Sequence, residues 1–196
     1  MIIFITGKSG AGKDTIVRKI GNKYQNLKPL IPYTTRPKRP GEFEGLHYHF
    51  VNENDLEKYS GKILESRTYH TANGDWIYFT ADDIDRDENY IYITTPEAIE
   101  NLQYTCSERG ISFIIIEIFA KHGKRLQRQI DRATNAIFGN QHVDYKEICR
   151  RFISDEEDFE RENYYPNYII DNSNDDDGAY CMECVEEILM NEGIIV

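Results

Sequence analysis

Short apolar runs alternate along the chain with segments in which apolar residues recur every three or four positions. Residues 2–6 read IIFIT and stop at Gly7, which is typical of a buried strand rich in β-branched side chains. Residues 13–24 then place Ile16, Ile20 and Tyr24 on one face of a helix. Residues 111–119 are almost continuously apolar, as in a parallel strand covered on both sides. This alternation predicts an α/β fold built on a parallel sheet.

The same pattern predicts the remaining elements. Further strands are expected near residues 30–31, 48–51, 62–69, 76–80, 90–94 and 168–170. Further helices are expected near residues 53–59, 96–109, 121–137, 144–162 and 178–191. The short strands between residues 33 and 81 interrupt the alternation of strands and helices. This block is therefore predicted to be a small sheet-rich insertion in a core made of residues 1–32 and 82–196.

Composition narrows the class of protein. The chain of 196 residues is 40% hydrophobic, enough for one domain with a core, and its formal net charge is −11. That charge argues against general nucleic-acid binding and against docking on an anionic membrane. The charge is unevenly spread, because residues 1–40 contain nine basic residues and one acidic residue. The segregation indicates either a local anion site or a chance division between solvated faces.

Neither a membrane span nor a secreted disulfide framework is indicated. The longest apolar runs have the length of strands, well below the roughly 20 residues of a transmembrane helix. Met1 leads directly into the first predicted strand, without the basic leader of a secretion signal. Cys181 and Cys184 form a C-x-x-C in a segment of helical spacing, which favours a helix face over a redox or metal site. The chain is predicted to be cytoplasmic.

A glycine-rich turn between the first strand and the first helix is a candidate phosphate site. The segment fits G-x-x-x-x-G-K, in which backbone N–H groups surround phosphate oxygens and the lysine supplies a positive charge. Its candidate phosphate-binding residues are Gly7, Ser9, Gly10, Ala11, Gly12 and Lys13. The motif continues with Ser or Thr, whereas this chain has Asp14 followed by Thr15, so either residue is a candidate ligand for Mg²⁺. The alternative is an ordinary strand–helix turn.

A second candidate phosphate site lies in residues 34–51, which read TTRPKRPGEFEGLHYHFV. Arg36 and Arg39 are three residues apart in a segment stiffened by prolines, which suits bidentate binding of a phosphate. Tyr48 adds a hydroxyl group. The stretch resembles the guanylate kinase motif, which runs close to T-T-R-x-x-R-x-G-E-x-x-G-x-x-Y-x-F-V. With the glycine-rich turn and the order of elements, the resemblance is expected to extend over essentially the whole chain.

The resemblance implies a nucleoside monophosphate kinase that converts ATP and GMP to ADP and GDP with Mg²⁺. It implies a P-loop NTPase-type parallel sheet flanked by helices, a GMP-binding insertion at residues 33–81 and a helical lid at about residues 121–155. The acceptor phosphate would be bound by Arg36, Arg39, Tyr48 and Tyr78, and the base by Glu65 and Thr80. Arg132 and Arg151 would reach the ATP phosphates from the lid, and Asn172 would lie near the adenine. Its partners would be small-molecule substrates, with no nucleic acid and no membrane.

Some residues depart from the family pattern, so alternatives stay open. Pro32 stands where the family usually has a serine, and Thr94 stands where it has an aspartate that contacts guanine or metal-bound water. These departures admit a related (deoxy)nucleoside monophosphate kinase with another base preference. A non-catalytic guanylate kinase-like binding domain is disfavoured by the intact glycine-rich turn. For Glu65 the alternative is a surface carboxylate in an ion pair, and for each lid arginine it is a solvated helix face.

Overall fold

A computed structural model describes residues 1–71, 74–135, 143–161, 164–174 and 177–195. Its strands are β1 (Ile2–Thr6), β2 (Leu27–Pro29), β3 (Tyr33–Thr34), β4 (His49–Phe50), β5 (Ile63–Thr71), β6 (Gly74–Ala81), β7 (Asn89–Ile93), β8 (Phe113–Phe119) and β9 (Tyr168–Asp171). Its α-helices are α1 (Lys13–Lys23), α2 (Pro96–Glu108), α3 (His122–Asn135), α4 (Tyr145–Arg161) and α5 (Ala179–Asn191). A 3-10 helix covers Glu53–Tyr59.

The main sheet has five parallel strands in the order β2-β7-β1-β8-β9. The central strand β1 is buried along its whole length, because helices cover both faces of the sheet. Its alternate residues point to opposite faces: Ile3 and Ile5 pack in a cluster with α1 and α5, and Ile2 and Phe4 pack in a cluster with α2. The predicted α/β fold with a parallel sheet flanked by helices is confirmed.

A second sheet lies within residues 33–81 and has four strands in the order β4-β3-β6-β5. It is mixed, because β3 pairs with β4 in parallel and with β6 antiparallel. A small aromatic core holds it together: the rings of Tyr33 and Phe79 are stacked with centroids 4.9 Å apart. This is the small sheet-rich block that the sequence predicts, whereas the exact limits of the core, insertion and lid remain a prediction.

Some predicted elements differ in extent or type. The strand predicted near residues 30–31 is β2 at Leu27–Pro29, and Pro32, which lacks a backbone N–H, follows it closely. The helix predicted at residues 53–59 is a 3-10 helix without a fully buried residue, although Leu56 and Tyr59 pack partly buried against the core of the second sheet. The predicted ends of the helices at residues 136–137 and 162 lie outside the described residues.

The C-x-x-C segment is part of α5, where Cys181 is buried and Cys184 is partly buried, so the predicted helix face is confirmed. Within the described ranges, no three His, Cys, Asp or Glu side chains are grouped so as to hold a metal ion. Nor does any helix in the described parts of the chain combine the length and apolar character needed to cross a membrane.

Candidate functional site

The loop between β1 and α1 has a backbone that only glycine adopts readily. Gly7, Gly10 and Gly12 have φ angles of +138°, +82° and +109°. A Cβ on Gly7 would lie 2.2 Å from the carbonyl oxygen of Ile118, and one on Gly10 would lie 2.5 Å from that of Arg125. The glycines therefore let the loop approach its neighbours closely while turning its amides toward the start of α1.

Lys13 lies inside this loop, at the first position of α1. Its ammonium group donates hydrogen bonds to the carbonyl oxygens of Gly7 and Lys8, the latter at 3.3 Å. Burial lowers the pKa of Lys13, although the nearby carboxylates of Asp14 and Asp155 act in the opposite direction. The lysine is thus a partly desolvated cation held against the loop.

A cavity of about 960 Å³, here called the loop cleft, opens along the loop and the first turn of α1. It collects most of the residues predicted to bind ATP and Mg²⁺, namely Ser9, Gly10, Gly12, Lys13, Asp14, Thr15, Arg132, Arg151 and Asn172. Lys124 and Arg128 of α3 also line it. The loop residue Ala11 is buried and does not line this cleft. Gly7 lines a second cavity, which is described below. The cleft therefore combines main-chain donors with basic side chains from two helices.

Asn172 lies at the floor of the loop cleft, just after β9. Its Nδ2 donates to the carbonyl oxygen of Ala11 at 2.7 Å. Its Oδ1 is buried and has no hydrogen-bond partner among the described residues. Arg128 donates from Nη2 to the carbonyl oxygen of Asn172 at 2.9 Å. The side chain is therefore held in place with one acceptor atom left for another group.

Two acidic residues of α4 bind the glycine loop directly. The backbone N–H of Ser9 donates to Asp155 Oδ2 at 2.6 Å, and Lys8 forms an ion pair with Glu156. Arg125, whose side chain is only 1% exposed, donates to both carboxylates and, from Nε, to the carbonyl oxygen of Ser9 at 3.1 Å. Although burial opposes it, the hydrogen bonds from Lys8 and Arg125 lower the pKa of Glu156. The Asp155 carboxylate thus occupies a loop amide that suits an anion.

A second cavity of about 890 Å³, here called the sheet cleft, lies between the two sheets. Of the residues predicted to bind the acceptor, it is lined by Tyr48, Tyr78 and Thr94. The Thr94 hydroxyl is buried and has no hydrogen-bond partner in the described part of the chain. Pro32, Arg67, Tyr69, Tyr92 and Glu97 complete much of its wall.

Arg36 is buried beside the sheet cleft and is bound to Glu42. Its Nη1 and Nη2 donate to the two oxygens of Glu42 at 2.9 and 2.8 Å, and its Nε donates to the Tyr78 hydroxyl at 2.9 Å. These hydrogen bonds, with one from the backbone N–H of Arg39, lower the pKa of Glu42 to about 2. The guanidinium carbon also lies 5.4 Å from the ring centroid of Tyr48. Arg39 itself is exposed, so the structure orders Arg36 and leaves Arg39 in solvent.

Glu65 and Thr80 lie on neighbouring strands behind the wall of the sheet cleft. The Glu65 side chain is 0% exposed; it accepts from Thr80 Oγ1 at 3.0 Å and from Arg67 Nε at 3.2 Å. Burial raises the pKa of Glu65, although Arg67 and Thr80 act in the opposite direction. Glu65 is in an ion pair, as the alternative interpretation expected, but the pair is buried and not at the surface.

The two clefts meet at the glycine loop. Ser9 and Lys13 line both cavities. Two anions bound in the separate clefts would approach each other at this point. The arrangement can therefore bring two phosphate groups together beside a cation.

Comparisons with known proteins agree with this geometry. Residues 1–73 match the family model described as guanylate kinase. The guanylate kinase of Agrobacterium fabrum is 43% identical over 58 residues, which are 30% of this chain and 26% of that protein. The guanylate kinase of Methylobacillus flagellatus is 41% identical over 73 residues, 36% of each chain. Residues 1–73 are guanylate kinase-like in sequence.

The match in sequence is confined to part of the chain, whereas the match in fold is not. The chain spans about a quarter to a third of the length of the curated relatives it matches. A crystal structure of guanylate kinase from Anaplasma phagocytophilum aligns over 100% of this chain and 87% of that chain, with a TM-score of 0.62 and 17% identity. The expected resemblance to guanylate kinases is thus carried by sequence over residues 1–73 and by the fold beyond them.

Several residues at the candidate site were not predicted from the sequence. Asp155 and Glu156 belong to a helix with many acidic residues, and nothing in their spacing distinguishes them from a solvated face. Arg125 shares a helix face with Arg128 and Arg132, yet it is buried as a link between the loop and α4. Arg67 could have been found from the sequence. It follows Glu65 by two positions, and residues two apart on a strand share a face.

Proposed function

We propose that this chain transfers the γ-phosphate of ATP to GMP, giving ADP and GDP. The observation that carries the proposal is the position of Ser9 and Lys13, which line both clefts at once. ATP in the loop cleft would place its γ-phosphate at this junction, and a monophosphate in the sheet cleft would meet it there. Phosphoryl transfer requires two anions held in line with their charge neutralised, and no general base.

The loop cleft suits ATP. Its loop amides and Lys13 suit the β- and γ-phosphates, and Arg132 and Arg151 reach the same cavity from α3 and α4. Asn172 Oδ1 is an acceptor without a partner among the described residues, which suits the exocyclic amino group of adenine. We assign ATP to this cleft on these grounds.

The residues at the start of α1 fit Mg²⁺. Asp14 and Thr15 both line the loop cleft next to Lys13, and they offer a carboxylate and a hydroxyl oxygen. Mg²⁺ prefers such oxygen ligands and usually keeps several waters, so one or two protein ligands are sufficient. When bound, Mg²⁺ would neutralise charge on the transferring phosphate.

The sheet cleft suits the acceptor monophosphate. The hydroxyls of Tyr48 and Tyr78 face it, and Arg36 lies directly against both tyrosines. Arg39 is exposed on the same loop and would complete the phosphate site when the loop turns toward the cleft. Glu65, Thr80 and Thr94 would lie on the side of the base.

We propose three working parts for this reaction. Residues 1–32 and 82–196 form the core, residues 33–81 bind the acceptor, and residues 121–155 act as the lid. The loop cleft lies between the core and the lid helices, since α3 and α4 both contribute to its wall. Closure of the lid over bound ATP would exclude water, which otherwise accepts the phosphate.

A related monophosphate kinase with another base preference is the second candidate function. The observation that favours it is that Pro32 and Thr94, the two departures from the family pattern, both line the sheet cleft. Each of these two residues changes the hydrogen bonds that are available to a bound base. They therefore affect which acceptor base is proposed, and not the transfer of phosphate.

A coupled assay of ADP release tests the proposal. The chain is supplied with ATP, Mg²⁺ and, in separate reactions, GMP, dGMP, AMP, CMP, UMP or dTMP. Turnover with GMP above the others is expected. Turnover with another monophosphate but not GMP would support the second candidate, and no turnover with any acceptor would indicate a non-catalytic nucleotide-binding domain.

A further inference from the structure

The buried carboxylate of Glu65 is covered on the side of the sheet cleft. Its oxygens are bound by Thr80 and Arg67, and its side chain has no exposed surface. Arg67 instead lines the cleft, together with Tyr69, Tyr78 and Tyr92. Arg67 is therefore among the polar residues that a base entering this cleft would meet, beside others such as Glu97, whereas the Glu65 carboxylate lies behind the wall.

Arg67 is held in place by three of its five N–H groups. Nε donates to Glu65 Oε2 at 3.2 Å, Nη2 donates to Glu65 Oε1 at 3.5 Å, and Nη1 donates to Thr95 Oγ1 at 2.7 Å. Counting these bonds leaves one N–H on each terminal nitrogen without an acceptor in the described parts of the chain. Burial lowers the pKa of Arg67, but the nearby Glu65, Tyr92 and Tyr69 together raise it by more, so the net shift is upward and the guanidinium stays charged.

Two N–H groups on neighbouring nitrogens can donate to a base edge with two adjacent acceptors. Guanine offers O6 and N7 in this arrangement, and a bidentate arginine on these atoms is the commonest specific contact to guanine in nucleic-acid complexes. Adenine places an amino donor beside its N7, which a guanidinium disfavours. A carboxylate would instead read guanine through its ring N–H and amino group, on the opposite edge.

We propose that Arg67, positioned by Glu65 and Thr95, is the residue that reads the acceptor base, by donating to O6 and N7 of guanine. This inference rests on the proposed function, since it specifies how the acceptor of that reaction is chosen. Thr94 lines the same cleft, and its buried hydroxyl has no hydrogen-bond partner among the described residues, so it is a second candidate contact for the base.

Base analogues separate the two edges of guanine. 7-Deazaguanosine monophosphate lacks the N7 acceptor, and inosine monophosphate lacks the 2-amino group but keeps O6 and N7. The expected kcat/KM falls about tenfold or more from GMP to the 7-deaza analogue, and inosine monophosphate stays within about threefold of GMP. An equal or larger loss with inosine monophosphate would overturn the inference, as would no loss with the 7-deaza analogue.

The same assay distinguishes failure of the inference from failure of the proposed function. Cytosine also has two adjacent acceptors, O2 and N3, so CMP is included, and a preference for CMP over GMP would overturn the reading of guanine. If no monophosphate is phosphorylated or binds in calorimetry, the proposed function itself is wrong. If GMP is phosphorylated but only its 2-amino group matters, the function stands and Glu65 reads the base after Arg67 moves.

Two variants provide an independent check. Arg67→Lys keeps a positive charge without the paired N–H groups, so the loss caused by the 7-deaza substitution should shrink to about twofold. Arg67→Ala uncovers Glu65, so inosine monophosphate should become about tenfold worse than GMP. Should Arg67→Ala fail to fold because Glu65 is left buried and unpaired, Arg67→Lys decides alone. Arg86→Lys, at an exposed arginine paired with Asp82, is the matched control and should keep the wild-type ratios.

Discussion

The loop cleft and the sheet cleft offer different kinds of polar group to a bound anion. In the loop cleft the donors include main-chain amides of one short segment, whose path depends on the positive φ angles of Gly7, Gly10 and Gly12. In the sheet cleft most polar side chains come from separate elements, namely β5, β6, β7, α2, α4 and the loop that follows β3, beside Ser9 and Lys13 of the glycine loop. The loop cleft therefore depends mainly on one short stretch of consecutive residues. The sheet cleft forms only when separate elements of the chain pack together.

The two clefts also have a feature in common. At each of them, carboxylates of the chain itself bind the cationic or amide groups that could bind a phosphate. Asp155 and Glu156 bind Ser9 and Lys8 of the glycine loop and Arg125 of α3, in the positions described above. In the sheet cleft, Glu42 binds Arg36 and Glu65 binds Arg67. Substrate phosphates would exchange with some of these carboxylates, so removing a carboxylate and removing a cation should have opposite effects on binding.

The largest effect is expected from Lys13→Ala, because Lys13 serves both clefts. Loss of the cation at their junction should reduce kcat about 1,000-fold, measured by ADP release at saturating ATP and GMP. Circular dichroism should show an intact fold. Lys23→Ala, at an exposed lysine of the same helix, is the control and should keep wild-type turnover. Retention of more than a tenth of the activity by Lys13→Ala would contradict this role.

Arg39→Ala should affect the sheet cleft alone. Because Arg39 is exposed and its side chain has no part in the folded core, the melting temperature should not change. Turnover should fall about 100-fold or more through loss of acceptor binding, with the KM for ATP unaltered. Lys38→Ala is the neighbouring control. A variant that melts early would show that Arg39 stabilises the loop and would count against a role in binding phosphate.

Asp155→Asn should tighten ATP binding several-fold. The neutral amide competes less well than the carboxylate for the Ser9 N–H, since hydrogen bonds to charged groups are stronger. Calorimetry with a non-hydrolysable ATP analogue measures the change. Asp158→Asn, on the same helix, removes a similar charge without touching Ser9 and should leave ATP affinity unchanged. Equal tightening in both variants would show a general effect of charge in place of a local exchange.

The smallest effect concerns Glu42 and acid stability. Its pKa in the folded chain is about 2, below the ordinary value of 4.5, so its ionised form stabilises the fold above about pH 4.5. That contribution should disappear as the pH falls from about 4.5 toward 2. The melting temperature of the wild type should therefore exceed that of Glu42→Gln at pH 7, and the gap should narrow at pH 4 and again at pH 3. A gap that does not change with pH would contradict the ion pair with Arg36.

Sequence patterns predicted the order of elements and the glycine loop better than the contacts of the sheet cleft. The order of strands and helices, the glycine loop and the location of a second sheet followed from local periodicity and from glycine chemistry. The alternation of β5 could also have placed Arg67 on the face of Glu65, but no prediction named Arg67. The pattern did not show that Arg67 covers Glu65, because coverage depends on the neighbouring strand β6 and on Thr95 at the start of α2.

The sequence by itself determined the glycine loop, since its path depends on backbone conformations that three glycines specify within seven consecutive residues. It also determined the parallel sheet, through strands that are apolar on both faces. Only the tertiary structure decided which carboxylate meets which cation. Asp155 lies 146 positions from Ser9 and Thr80 lies 15 from Glu65. Such pairings depend on how helices and strands pack, and packing is a property of the whole chain.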